Sequence, residues 1–114
     1  MNKQELQDIA NNLCKTYNIS PILVKIKYVR RGRARLKQNK IIMPYWVTKQ
    51  NETYGKYYII HEVCHFLTET KHTELFKATE IDILKKYNII PIYKKVYVKK
   101  LTDLTGRTLW RKTW

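Results

Sequence analysis

Three histidines are the whole imidazole supply of this 114-residue chain, and all lie between positions 61 and 72. Two of them stand in His61-Glu62-Val63-Cys64-His65. Residues four apart on a helix lie one above the other on the same face. His61 and His65 can therefore aim two imidazoles at one tetrahedral Zn2+ ion. Glu62 follows the first of them directly, which sets a carboxylate beside the metal, placed to take a proton from a zinc-bound water. With three His and six Glu in the chain, His-Glu-x-x-His is expected by chance only about 0.004 times, so coincidence is set aside.

A catalytic zinc keeps three protein ligands and one open position. His72 is the natural third ligand. Its rivals are Glu69, Glu74 and Glu80, the last of these two helical turns beyond His72. Cys64 reads as a small buried residue facing the core. With Cys14 it makes two cysteines in all, too few for a four-thiolate zinc site.

The motif demands a helix, and its flanks allow one: no Pro or Gly occurs between Lys56 and Asn88. The spacing predicts a first helix from Thr53 to Thr70, a polar turn, and a second helix from Thr73 to Tyr87. Leu75, Phe76, Thr79, Ile83, Leu84 and Tyr87 form the apolar stripe of the second. Asn88 stands where a helix C-cap often falls. Upstream, Leu6, Ile9, Ala10, Leu13, Cys14 and Tyr17 predict an amphipathic helix from Lys3 to Tyr17, with Asn2 and Glu5 as a capping box. Ile22–Val29, Arg33–Leu36 and Ile41–Val47 read as three strands. Pro44 cannot donate to a ladder, which marks the third as an edge strand or as bulged there. Beyond Asn88 the pattern weakens: Ile90–Tyr93 is extended, Leu101–Leu104 reads as a helical turn, and Gly106 as a breaker.

The stretch His61-Glu-Val-Cys-His65-Phe-Leu-Thr-Glu-Thr-Lys-His72-Thr-Glu-Leu-Phe76 resembles the SprT-like and YgjP-like zinc metallopeptidases. Their signature is a His-Glu-x-Cys/Ala-His helix, a short turn, a third His and an aromatic four residues later, here Phe76. The resemblance implies one Zn2+ held by His61, His65 and His72, with Glu62 as general base. It also implies a minimal zincin-like α+β fold: an N-terminal helix, a small three-stranded and mostly antiparallel sheet, the His-Glu-x-x-His helix, a following helix and a basic C-terminal extension. In such folds the strand before the catalytic helix holds substrate as an added strand, which points to Met43–Val47. Tyr93 and Tyr97 lie where a chain could fold back to stabilise an oxyanion.

The bulk numbers fit one domain, residues 1–114, with helix plus sheet in 1–53, metal-binding helices in 54–88 and a basic segment in 89–114. Hydrophobic residues make up 44% of it, enough for a globular core. The expectation is a cytoplasmic, intracellular monomer, with neither a membrane span nor a secretory signal. Net charge is +14. Residues 1–53 carry eleven Lys/Arg against three Asp/Glu, residues 54–84 three against five, and residues 85–114 nine against one. Bases interleaved with aromatics suit DNA or RNA, with Arg33, Arg35, Lys37, Trp110 and Trp114 as candidate contacts. The DNA-repair branch of the resembling family acts on proteins attached to DNA, which would give this charge a purpose. The function expected is therefore zinc-dependent hydrolysis of peptide bonds in a protein or peptide substrate. The alternative is a nucleic-acid-binding protein with a structural or inactive zinc site.

Overall fold

A computed structural model describes residues 1–112 of the chain. Helix α1 spans Lys3–Thr16. Asn2 Oδ1 accepts from the Glu5 N–H at 2.9 Å, and the Glu5 carboxylate accepts from the Asn2 N–H at 2.9 Å. This is the expected capping box, satisfying two N–H groups that a helix start leaves open. Leu6, Ile9, Ala10, Leu13 and Cys14 are buried and pack α1 against the central helix and the first strand. Asn18 ends the helix in the left-handed region, φ 53°, which asparagine tolerates better than most residues.

Strands β1 (Leu23–Lys27), β2 (Arg33–Arg35) and β3 (Lys40–Pro44) form one sheet in the order β1-β3-β2. β3 runs parallel to β1 and antiparallel to β2. The three expected strands are present, but β3 is the central one, not an edge. Pro44 is its last residue and pairs with Lys27 at the end of the ladder, where a missing N–H costs little. Residues Tyr45–Lys49 then wind into a 3-10 turn. Met43–Val47 is therefore flanked or coiled, and it offers no free edge for a substrate strand.

β1 and β2 do not form a hairpin, because β3 lies between them, and the chain passes from one to the other through Gly32. The chain there runs hard against the central helix: its N–H donates to the Tyr58 hydroxyl at 2.8 Å. A Cβ at this position would stand 2.8 Å from Tyr58 Cε1 and 2.9 Å from the Ile42 carbonyl oxygen. The crossing carries β2 to the far side of the position that β3 fills.

Helix α2 (Glu52–Leu67) and helix α3 (Glu74–Lys86) follow. Asn51 caps α2 by accepting from the Tyr54 N–H, and Thr73 caps α3 by accepting from the Phe76 N–H. Asn88 ends α3 with φ 62°. The C-terminal segment is a second sheet: β4 (Ile90–Lys94), β5 (Tyr97–Thr102) and β6 (Thr108–Arg111), an antiparallel meander. The expected turn of helix at Leu101–Leu104 is instead the end of β5 and a tight loop. There Asp103 Oδ1 accepts from the N–H groups of Thr105 and Arg107 and from the Thr105 hydroxyl. Val98 and Leu101 of this sheet join the same buried cluster as Ile41, Met43, Ile59, Ile60, Val63, Ile83 and Leu84. Cys14 and Cys64 are both free and buried. Among the described residues no helix is long and apolar enough to cross a membrane.

Candidate active site

His61 and His65 leave α2 one turn apart, with ring centroids 5.3 Å from each other. α2 stops at Leu67, and residues 68–73 turn the chain back so that His72 arrives at the start of α3. Its ring centroid lies 5.0 Å from each of the other two. The three residues offer ring nitrogens within 4.8 Å of one another. His61 Nε2 and His72 Nε2 are 3.1 Å apart. Two nitrogens bound to one tetrahedral zinc stand about 3.3 Å apart, given Zn–N bonds of about 2.05 Å. The His61–His72 pair has the spacing of two nitrogens on one zinc, and His65 is close enough to be the third ligand after a small ring adjustment. Phe76 is buried beneath them, its ring 5.0, 4.6 and 4.9 Å from His61, His65 and His72.

The Nδ1 atoms of His61 and His65 are taken. His61 Nδ1–H donates to Glu80 Oε2 at 2.6 Å, and His65 Nδ1–H donates to the Glu69 carbonyl at 2.9 Å. Each bond selects the tautomer whose Nε2 lone pair is free for a metal, and holds the ring in place. The Tyr93 hydroxyl donates to the second oxygen of Glu80 at 2.7 Å. Burial lowers the pKa of His61, but the hydrogen bond and charge of Glu80 outweigh it and the net direction is upward. Burial lowers those of His65 and His72, which keeps both rings neutral and able to ligate.

Glu62 is buried and accepts no hydrogen bond among the described residues. Burial raises its carboxyl above the usual range; the charge of His61 opposes this and that of Glu80 adds to it. Though the residue is only 6% exposed, no fully buried side-chain oxygen among the described residues lacks a partner, so the Glu62 oxygens reach solvent and are open to a water. From His61 and His72 a cleft of about 370 Å³ opens between α2, the 3-10 turn and the second sheet. Trp46, Tyr54, Tyr57 and Trp110 are among the residues that line it.

The structure thus brings together His61, His65 and His72, with Glu62 on the same helix. Glu80, a rival third ligand by spacing, is engaged through both oxygens behind His61, at the nitrogen away from His72. The Glu69 and Glu74 side chains are exposed. The Tyr93 hydroxyl, an expected oxyanion donor, is committed to Glu80, while Tyr97 is exposed in the cleft. Arg33 and Arg35 are exposed on β2, but Lys37 lies in a 3-10 turn, so the three do not form one strand face. Trp110 stacks on Tyr54 at 4.5 Å in the cleft, and Trp114 lies outside the described residues. The positioning role of Glu80 and the aromatic wall of Trp46 and Tyr57 were not foreseen. Glu80 had a readable signal: it lies four residues after Phe76 on one face of α3, and Phe76 lies four after His72.

No family model matches the chain, and no curated protein matches it. Solved structures do. The crystal structure of the metallopeptidase zymogen abylysin of Pyrococcus abyssi superposes with a TM-score of 0.60 at 21% identity, over 68% of this chain and 78% of that one. The metallopeptidase zymogen jannalysin of Methanocaldococcus jannaschii gives 0.52 at 22% identity, over 72% of this chain and 96% of that one. At this identity the likeness speaks for the fold alone, and the chain shares a mixed α+β architecture with these two small metallopeptidase zymogens.

Proposed function

We propose that the chain is a single-domain zinc metallopeptidase of the His-Glu-x-x-His type, with His61, His65 and His72 as ligands of one ion and Glu62 as general base. The observation that carries this reading is the gathering of three imidazoles within 4.8 Å of one another, with Nδ1 of His61 and of His65 held by hydrogen bonds and Nε2 left for a metal, on the helix that carries Glu62. Bound there, zinc would polarise a peptide carbonyl and make water acidic enough to give up a proton near neutral pH. Glu62 receives that proton as the water oxygen bonds to the carbonyl carbon, and delivers it to the amine nitrogen as the C–N bond breaks. Glu80 and the Glu69 carbonyl keep the His61 and His65 rings aimed while this happens. The Tyr57 phenol, which burial holds protonated well above its ordinary pKa, lines the same cleft. The finer placing among SprT-like or YgjP-like peptidases rests on the pattern from His61 to Phe76.

The test is metal analysis and proteolysis of an unstructured protein such as casein. Wild type should hold one zinc and cleave. Glu62→Gln should hold the zinc and lose activity by about 10²-fold or more. His61→Ala should lose the metal. Equal cleavage by Glu62→Gln and wild type would remove Glu62 from the role.

A second reading is favoured by one surface. A groove beside β1 and β2 is lined by Lys27, Arg30, Arg31, Arg33 and Arg35 and by no acid. It suits the phosphate backbone of a nucleic acid, whose binding would weaken steeply with salt through counterion release. Fluorescence anisotropy with labelled oligonucleotides across a salt series decides it: replacing Arg31, Arg33 and Arg35 together should flatten the slope. No binding at low salt would leave the charge as solvated surface.

A further inference from the structure

The cleft beside the histidines has a composition of its own. Five tyrosine and tryptophan rings line it from different parts of the chain: Trp46 from the 3-10 turn, Tyr54 and Tyr57 from α2, Tyr97 from β5 and Trp110 from β6. Trp46 and Trp110 both stack on Tyr54, at 6.1 and 4.5 Å between centroids. Asn51, the cap of α2, donates from its side chain to the Leu109 carbonyl at 3.0 Å and ties β6 to the helix. The wall is thus assembled from contacts that hold one another, with His61 and His72 bordering the same space. Trp46, Val96 and Tyr97 are exposed large apolar side chains, and all three line this one cleft. Concentrated exposure of this kind marks a binding surface. No Asp or Glu lines the cleft. Arg111 does; it is exposed and makes no ion pair among the described residues.

We infer that this cleft is a specificity subsite that takes a large apolar side chain, aromatic by preference, from an extended peptide, and that Arg111 at its border selects an acidic group close by in the same peptide. The inference rests on the peptidase reading of the neighbouring centre. The volume suits a Phe or Trp side chain together with the backbone that carries it. Aromatic walls favour such a side chain through area and ring contacts. The absence of acid around Arg111 makes its charge available to a carboxylate. A single-stranded nucleic acid would use the same rings by base stacking, and it enters as an outcome of the test.

The experiment uses the zinc-loaded Glu62→Gln protein, so that ligand is held rather than cut, and a set of ten-residue peptides of one sequence. They carry Phe or Ala at a central position and Asp or Lys two residues away. Binding is read by calorimetry and by tryptophan fluorescence. Phe should bind about tenfold or more tighter than Ala, the gain expected for burying a large apolar side chain. Trp110→Leu should reduce that ratio to about threefold or less. Arg111→Glu, an exposed change, should reverse the preference for Asp over Lys. Because Trp110 also packs on Tyr54, Trp46→Leu provides a second probe of the wall, and zinc content is measured for each variant. The inference is overturned if Phe and Ala peptides bind alike, if the Phe preference survives both tryptophan replacements, or if oligothymidylate displaces the Phe peptide and binds more tightly. Cleavage by wild type is followed in parallel. Cleavage without a Phe preference sinks the subsite and leaves the peptidase reading standing; a Phe preference without any cleavage does the reverse.

Discussion

Glu80 is 1% exposed, and it pairs with no Lys or Arg among the described residues. An isolated buried carboxylate is costly, so its two short hydrogen bonds, to His61 and to Tyr93, are what make it tolerable. The bond to His61 turns that cost to use by fixing the ring against rotation. Glu80→Gln keeps the shape but removes the charge that a ligating imidazole leans on. Zinc affinity should fall about 10- to 100-fold, measured by competition with a chromophoric chelator. Glu74→Gln, exposed at the start of the same helix, should leave affinity where it was. If both variants hold zinc like wild type, Glu80 is a packing residue only. The histidines and Glu62 were legible from type and spacing because all lie within twelve residues and one helix carries three of them. The part taken by Glu80 was not, because the same spacing serves a ligand and a partner of a ligand. Only the identity of the nitrogen it meets separates the two.

Helices were legible and sheets less so, for a reason of range. Caps and apolar stripes are local, so α1, α2 and α3 fall within a few residues of their expected limits. Strand order depends on contacts between distant segments, and Pro44 misled because a ladder can spare an N–H at a strand's end as well as at a sheet's edge. The second sheet was hidden by its own irregularity. Bulges between Ile92 and Tyr93 and between Leu101 and Thr102 shift the pairing, and each shift breaks the two-residue alternation by which a strand is recognised. The crossing at Gly32 carries the element-scale prediction. Gly32→Ala drives a methyl group into Tyr58 and the Ile42 carbonyl, and the second of these is backbone in the central strand. Stability should drop by about 1–3 kcal/mol, seen as a lower urea midpoint. Gly106→Ala, whose added carbon would meet nothing within 4 Å, is strained only by its φ of 91° and lies far from the helix packing. Equal midpoints for Gly32→Ala and wild type would mean the loop simply moves aside.

Across the whole molecule, the ion would connect what the backbone only brings near. His61 and His65 belong to α2, and His72 to the turn before α3. Removing zinc leaves the two facing nitrogens of His61 and His72 without the charge between them. A ligand bound to the native state alone stabilises it by about 4 kcal/mol at a thousandfold excess over its Kd. For a chain of this size that corresponds to a fall in Tm on the order of 10 °C or more on chelation, readable by calorimetry and reversed by added zinc but not by magnesium. An unchanged Tm would argue against a metal at this point. The order in which the parts are made matters as well. Every candidate ligand is made by residue 72, yet the hydroxyl that steadies Glu80 comes from Tyr93, and β6 closes the aromatic wall. In a chain leaving the ribosome N-terminus first, the three histidines would thus be present before the partner of Glu80 and the wall beside them.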